Sequence, residues 1–188
     1  MRFFTAEELI TNTNMDTIVF NSKSSITIHA GYARCEFVNE TLVVLEKFPE
    51  FRRMLSNFFP CIIKDGDKTY PSAEHMFHAK KAELIDPKYA KLFEVGNKFG
   101  ILEPKFMPGK TGKNKKTGLS MGSKIEYWDR MSDGVLEEIW TLKFSQDPDL
   151  KAMLKATGNA RLVHMMRNRG QATRYQHWES LERIRDKL

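Results

Sequence analysis

Between Ser72 and Lys81 the chain reads Ser-Ala-Glu-His-Met-Phe-His-Ala-Lys-Lys. Glu74, Phe77, His78 and Lys81 stand at i, i+3, i+4 and i+7, so a helix through them carries all four on one face. A carboxylate, an imidazole and an ammonium interrupted by one phenylalanine make an odd face for a helix that only packs. They suit a helix whose N-terminal end walls a polar site, where a carboxylate stabilises developing positive charge and handles a proton. Ion pairs and histidines on helix faces are also commonly solvated, and on chemistry alone that reading competes.

The elements that must position this face are legible around it. Cys61-Ile62-Ile63-Lys64 is a short β-prone run, and Asp65-Gly66 supplies a turn. After Tyr70-Pro71, Ser72 occupies the N-cap position, with Glu74 and His75 in the first turn. Good helix formers follow through Leu84.

The order Ser56-Asn57-Phe58, then Asp65-Gly66, then Tyr70-Pro71-Ser72-x-Glu74-His75-x-Phe77-x-Ala79-x-Lys81 resembles the signature of the NADAR (YbiA-like) N-glycosidase family. Trp128, Lys143-Phe144-x-Gln146, the segment Leu154–Val163 and the closing Leu181–Arg185 resemble later blocks of that family in the same order. The resemblance covers residues 55–188. It implies an α+β, mostly helical, YbiA-like single domain with a small β-sheet, drawn from the N-terminal strands and residues 61–64. Residues 1–54 are then a strand-containing extension of the same domain.

The resemblance further implies a hydrolase that cleaves the N-glycosidic bond between an ADP-ribose or ribose unit and a base. Glu74 is the candidate carboxylate. Lys81 either orients it and neutralises phosphate or, deprotonated, attacks the opened sugar as an amine. Ser56, Asn57, Phe58, His75 and His78 are candidate substrate contacts, and Trp128 offers a flat face to the base. Water is the only co-reactant and no cofactor is implied. No metal is expected either, since His75 and His78 lack a third ligand at a recognisable spacing.

One segment departs from the family. His164 stands where members carry Glu, and Met165–His177 holds no carboxylate but Arg167, Arg169, Gly170 and Arg174. Arg167 and Arg169 are therefore read as phosphate contacts. The change points to an altered anionic substrate such as a polynucleotide, or to a member that binds without hydrolysing. Three functions thus compete: removal of ADP-ribose from guanine in nucleic acid, the same chemistry on phosphoribosylamino-pyrimidine intermediates of the riboflavin pathway, and non-catalytic binding of ADP-ribose or nucleic acid.

Charge favours the polynucleotide. The net charge of +6 is uneven: residues 1–50 hold four basic and seven acidic side chains, residues 151–188 nine and three. Residues 104–118 form a proline- and glycine-rich loop with Lys105, Lys110, Lys113, Lys115 and Lys116. It lacks a GxxxxGK[ST] pattern, which leaves a solvated connector or an electrostatic arm on a phosphate backbone.

The 188 residues, 41% hydrophobic and 29% charged, fit one ordinary globular domain. No apolar run nears the roughly 18 residues of a membrane span, so no membrane partner is expected. The first ten residues lack a signal-peptide core, and the two cysteines, Cys35 and Cys61, have no zinc spacing; both features suggest a cytoplasmic protein with reduced thiols. Further expectations are strands at Thr17–Phe20, Ser25–His29 and Thr41–Leu45, and a capping box at Thr5/Glu8. Helices are expected over Lys88–Leu102 (broken near Gly96 or Gly100), Ile125–Phe144 and Leu150–Ala156, and a strand over Arg161–His164.

Overall fold

The computed structural model describes residues 3–4, 16–23, 35–36, 44–97, 100–108, 113–115, 117–166 and 173–188. The chain divides into two compact units: Met1–Phe59 with Asp147–Leu188, and Pro60–Gln146. The architecture is α+β with small sheets, as the resemblance implies.

The first unit is built on a five-stranded sheet in the order β1-β7-β6-β2-β3. Its strands are β1 (Phe3–Phe4), β2 (Thr17–Phe20), β3 (Cys35–Glu36), β6 (Arg161–Met166) and β7 (Arg174–His177). β2 runs parallel to β6, with Ile18 opposite Leu162 and Val19 opposite Val163; the other pairings are antiparallel. Val19, Val163 and Met165 form a buried cluster that Tyr175 covers. The helices described in full in this unit are α1 (Phe51–Leu55), α5 (Pro148–Ala156) and α6 (Glu179–Lys187).

Capping explains where α5 starts and stops. Asp147 accepts the amides of Asp149 and Leu150 at 2.9 and 3.1 Å, and Pro148 fits the first helical turn, where its missing N–H is no loss. Gly158, at φ 54°, sits just past the end of α5, where a left-handed residue is needed to turn the chain. The buried Arg185 of α6 donates to the Ala160 carbonyl at 2.7 Å and to Thr157 Oγ1 at 3.1 Å, holding that turn. Glu182 accepts the Leu162 amide at 2.8 Å and pins α6 to β6.

The second unit starts with a hairpin of β4 (Ile63–Asp65) and β5 (Lys68–Tyr70), with Asp65 opposite Lys68. Gly66 is the first of its two loop residues and holds φ 62°, which suits glycine in a two-residue hairpin. Then come α2 (Ala73–Ile85), the short α3 (Pro87–Ala90) with a 3-10 turn at Lys91–Phe93, and α4 (Ile125–Gln146). Ala73, Met76, Ala79 and Ala82 form the buried side of α2. Two ion pairs link hairpin to helix: Lys80–Asp65 at 2.7 Å and Lys68–Glu83 at 2.6 Å. Gln146, the last residue of α4, accepts the Lys64 amide at 2.8 Å and donates to the Lys64 carbonyl at 2.7 Å. It thereby completes both free backbone groups on that side of β4.

Several expectations need correction. Residues 63–65 pair with 68–70 in a sheet of their own and do not join the N-terminal strands. The order of contacts decides this, because a two-residue loop brings the hairpin partner closest. The helix expected over residues 88–102 ends by Phe93; Gly96 and Gly100 both adopt positive φ beyond it. Val44 and Leu45 are helical, not extended. β6 continues through Met166, and Arg174–His177, read as loop, is its antiparallel partner. Ser25–His29, Thr5 and Glu8 lie outside the described residues. Among the described residues, no helix is long and apolar enough to cross a membrane.

Candidate active site

Ser72 caps α2 as its position demands. Its hydroxyl accepts the His75 amide at 3.3 Å and lies 2.7 Å from His75 Nδ1. Burial, opposed by the nearby Glu74 charge, lowers the His75 pKa from its ordinary 6.5. The ring is therefore neutral at pH 7. The hydroxyl and Nδ1 are hydrogen-bonded to each other, and the tautomer of the ring sets which of them donates. Serine thus fixes both the start of the helix and the placement of a histidine ring one turn into it.

Glu74 and His78 meet on the next turn. His78 Nε2 lies 3.0 Å from Glu74 Oε1, and each side chain is only 16% exposed. The imidazole stacks on Phe93 (centroids 6.2 Å, 30°) and takes the edge of Phe77 (5.7 Å, 74°). Phe77 in turn meets Trp128 of α4 edge to face at 4.9 Å. His78 Nδ1 is sealed from solvent with no hydrogen-bond partner among the described residues. Leaving such an acceptor unmade costs about 1–3 kcal/mol, so the ring is held by its aromatic neighbours and its Glu74 contact.

Lys81, on the same face, is 7% exposed and donates to the Pro108 carbonyl at 2.9 Å. That bond ties α2 to the lysine-rich loop. The loop has internal order as well: Thr117 Oγ1 donates to the Phe106 carbonyl at 3.1 Å, and Lys113 bridges Ser120. In the described part of the loop Lys105 pairs with Glu103 at 2.5 Å.

The structure therefore gathers Glu74, His75, His78, Lys81 and Trp128 in the second unit. At 4% exposure Trp128 is a buried wall behind Phe77, with little open face. Ser56, Asn57 and Phe58 belong to the first unit. Ser56 is buried and its hydroxyl accepts the Phe58 amide at 3.2 Å, while Phe58 is 54% exposed. Arg167 and Arg169 lie outside the described residues. His164, at the family's glutamate position, packs between Phe20 (5.5 Å) and Trp178 (4.7 Å) in an aromatic cluster. A cavity of about 430 Å³ in the first unit, bordered by Phe48, Glu50, Phe59 and Asp147, takes in none of the candidate residues.

Sequence reasoning missed three participants: Ser72 as partner of the His75 ring, Phe93 as the stacking surface for His78, and Pro108 as acceptor for Lys81. The first had a local signal, a serine N-cap three residues before a histidine. The other two are contacts across 15 and 27 positions that no periodicity announces. Among the described residues, no group of three or more His, Cys, Asp and Glu is placed to hold a metal ion.

Comparison with known proteins gives a consistent family. A family model described as the NADAR domain matches residues 45–169. The N-glycosidase YbiA of Shigella boydii serotype 4 is 31% identical over 113 residues, which is 60% of this chain and 62% of the relative. The N-glycosidase YbiA of Escherichia coli K12 is 30% identical over the same span. The match therefore spans somewhat less than two thirds of these curated relatives. The NMR structure of the E. coli protein YbiA superposes with a TM-score of 0.55 at 22% identity, covering 93% of this chain and 86% of that one. This likeness is one of fold.

Proposed function

The chain belongs to the NADAR domain family, and on that premise we propose that it is an N-glycosidase that hydrolyses the bond between an ADP-ribose unit and a base. The substrate we favour is ADP-ribosylated guanine in nucleic acid. The observation that carries this reading is the Glu74 carboxylate, hydrogen-bonded to His78 and just under one helical turn from the Phe77–Trp128 pair. Breaking the glycosidic bond leaves oxocarbenium character on C1 of the ribose. A carboxylate held in a poorly solvated place stabilises that charge and takes the proton of the attacking water. The bond electrons leave with the base, which is protonated, and water supplies the new hydroxyl on C1.

The remaining residues take roles around this step. The amides of the first turn of α2 and the ring of His75 suit the diphosphate or the ribose hydroxyls. Phe77, backed by the buried Trp128, forms an apolar wall for the base. Lys81, held by Pro108, brings positive charge to the same face. The basic C-terminal third and the lysine loop suit a polyanion better than a small ribosylamine.

A second reading, binding of ADP-ribose without hydrolysis, is favoured by the closed state of Trp128 and by His164, which stands in the aromatic cluster in place of a carboxylate. One assay decides. The protein is incubated with an ADP-ribosylated guanine oligonucleotide and, separately, with the phosphoribosylamino-pyrimidine. Release of ADP-ribose that Glu74→Gln lowers about 10²- to 10⁴-fold supports the hydrolase. Release of ribose phosphate from the pyrimidine alone moves the substrate to the small molecule. Equal release by wild type and Glu74→Gln removes Glu74 from the mechanism, and salt-sensitive binding without release supports the second reading.

A further inference from the structure

We infer that His78 is the positioning residue for Glu74, holding one carboxylate oxygen so that the other faces the sugar. This rests on the proposed glycosidase reading. The geometry differs from an ordinary i, i+4 surface pair in three respects. Both side chains are 16% exposed, so water competes weakly for the 3.0 Å contact. The imidazole is clamped between Phe93, which is fully buried, and Phe77, so the plane of the ring is held by both aromatic contacts. Its second nitrogen, Nδ1, is sealed without a partner among the described residues. A ring accommodated with one polar atom unsatisfied is kept there for the atom that is satisfied.

The consequence is orientational. His78 Nε2–H donates to Glu74 Oε1, which removes rotation about the carboxylate's last bond. Oε2, for which no protein partner is found among the described residues, is then the oxygen that meets C1 or its attacking water. Fixing a reacting group within a fraction of an ångström is worth as much as orders of magnitude in rate. His78 moves no proton to substrate in this scheme. It acts only through Glu74.

The test separates this role from simple packing and from the glycosidase reading. His78→Phe keeps an aromatic ring between Phe77 and Phe93 and deletes the donor; His78→Gln restores an amide N–H near the place of Nε2. Turnover of the ADP-ribosylated oligonucleotide is measured for wild type, both variants, Glu74→Gln and the double variant Glu74→Gln/His78→Phe. His78→Phe is expected to lower kcat 10- to 100-fold with KM within twofold and an unchanged melting temperature, and His78→Gln to recover most of the loss. The double variant is expected to be no slower than Glu74→Gln, since His78 has nothing left to position. A His78→Phe enzyme within threefold of wild type, or losses that multiply in the double variant, overturns the inference while the glycosidase reading stands. If wild type releases nothing, that reading falls, and calorimetric ADP-ribose affinity replaces kcat in the same cycle. Single variants that each weaken binding, with no further loss in the double, then uphold the pair; multiplying losses or absent binding overturn it.

Discussion

Replacing Ser72 by alanine removes two contacts with one oxygen, and the structure gives the expected size. The hydroxyl caps α2 through the His75 amide at 3.3 Å, and loss of such a cap costs about 1 kcal/mol, within a range of about 0.5–2. It also satisfies His75 Nδ1 at 2.7 Å. That nitrogen is only part-buried, so its loss belongs at the low end of the penalty for an unmade bond, about 1 kcal/mol. The two together predict a destabilisation of about 2 kcal/mol at pH 7.5. Urea unfolding followed by circular dichroism reads this as a lower midpoint at unchanged slope. Ser72→Thr keeps the hydroxyl and is expected to lose less than half as much. Ser72→Ala within about 0.5 kcal/mol of wild type would refute the dual role, because even a cap alone should exceed that. The same site predicts a pH dependence. Burial lowers the pKa of His75 below its unfolded 6.5, so the unfolded chain binds the proton more readily. Its contribution to stability is fully present above about pH 6.5 and is lost as pH falls through the folded value.

Other outcomes follow from single contacts. Gln146→Ala breaks two bonds to the Lys64 backbone, but water can replace both at this exposed edge, so a loss of about 1 kcal/mol is expected in the same urea assay. Gln146→Glu keeps the acceptor and loses the donor, and should fall between the two. Tyr70→Phe should be neutral or stabilising by up to about 1 kcal/mol, since the buried hydroxyl has no partner among the described residues; a clear loss of melting temperature would show a hydrogen bond there. Burial, reinforced by Glu94 and Glu83, raises the Tyr70 pKa well above its usual 10, so wild type should show no titration of this phenol in ultraviolet spectra before alkaline unfolding. Lys81→Met keeps the length of the side chain and loses the bond to Pro108; faster proteolysis near residues 105–116, with α2 intact by circular dichroism, is the expected result.

The legible parts of this protein are those whose cause is local. Ser72 as cap of α2, Asp147 as cap of α5 and the turn at Asp65-Gly66 each follow from a side chain acting within three residues of itself. The long α4 follows from apolar residues at helical spacing, and Ile125–Gln146 differs from the expected bounds by two residues. The shared face of Glu74, Phe77, His78 and Lys81 is likewise a consequence of helical geometry, and the 3.0 Å contact between Glu74 and His78 is an i, i+4 event.

What failed were the particular distant partners of several segments. Residues 61–64 looked fit for any sheet, and only the completed hairpin shows that residues 68–70 take β4 on one side and Gln146 closes the other. Arg174–His177 is only four residues long and holds no β-branched side chain, so little in it marks a strand; pairing with β6 makes it one. Trp128 reads as an open aromatic platform, yet its edge-on neighbour Phe77 leaves it almost no surface.

By itself, then, the sequence determined where α2 and α4 begin, which residues share the face of α2, and that a carboxylate and an imidazole meet at the head of α2. Those outcomes depend on rotations and hydrogen bonds spanning at most a turn. Only the tertiary structure decided that His78 is gripped by Phe93, that Lys81 reaches Pro108, and that β2 lies beside β6. Each of these depends on burying apolar surface supplied from far along the chain, and a nondirectional force of that kind leaves no spacing rule behind it.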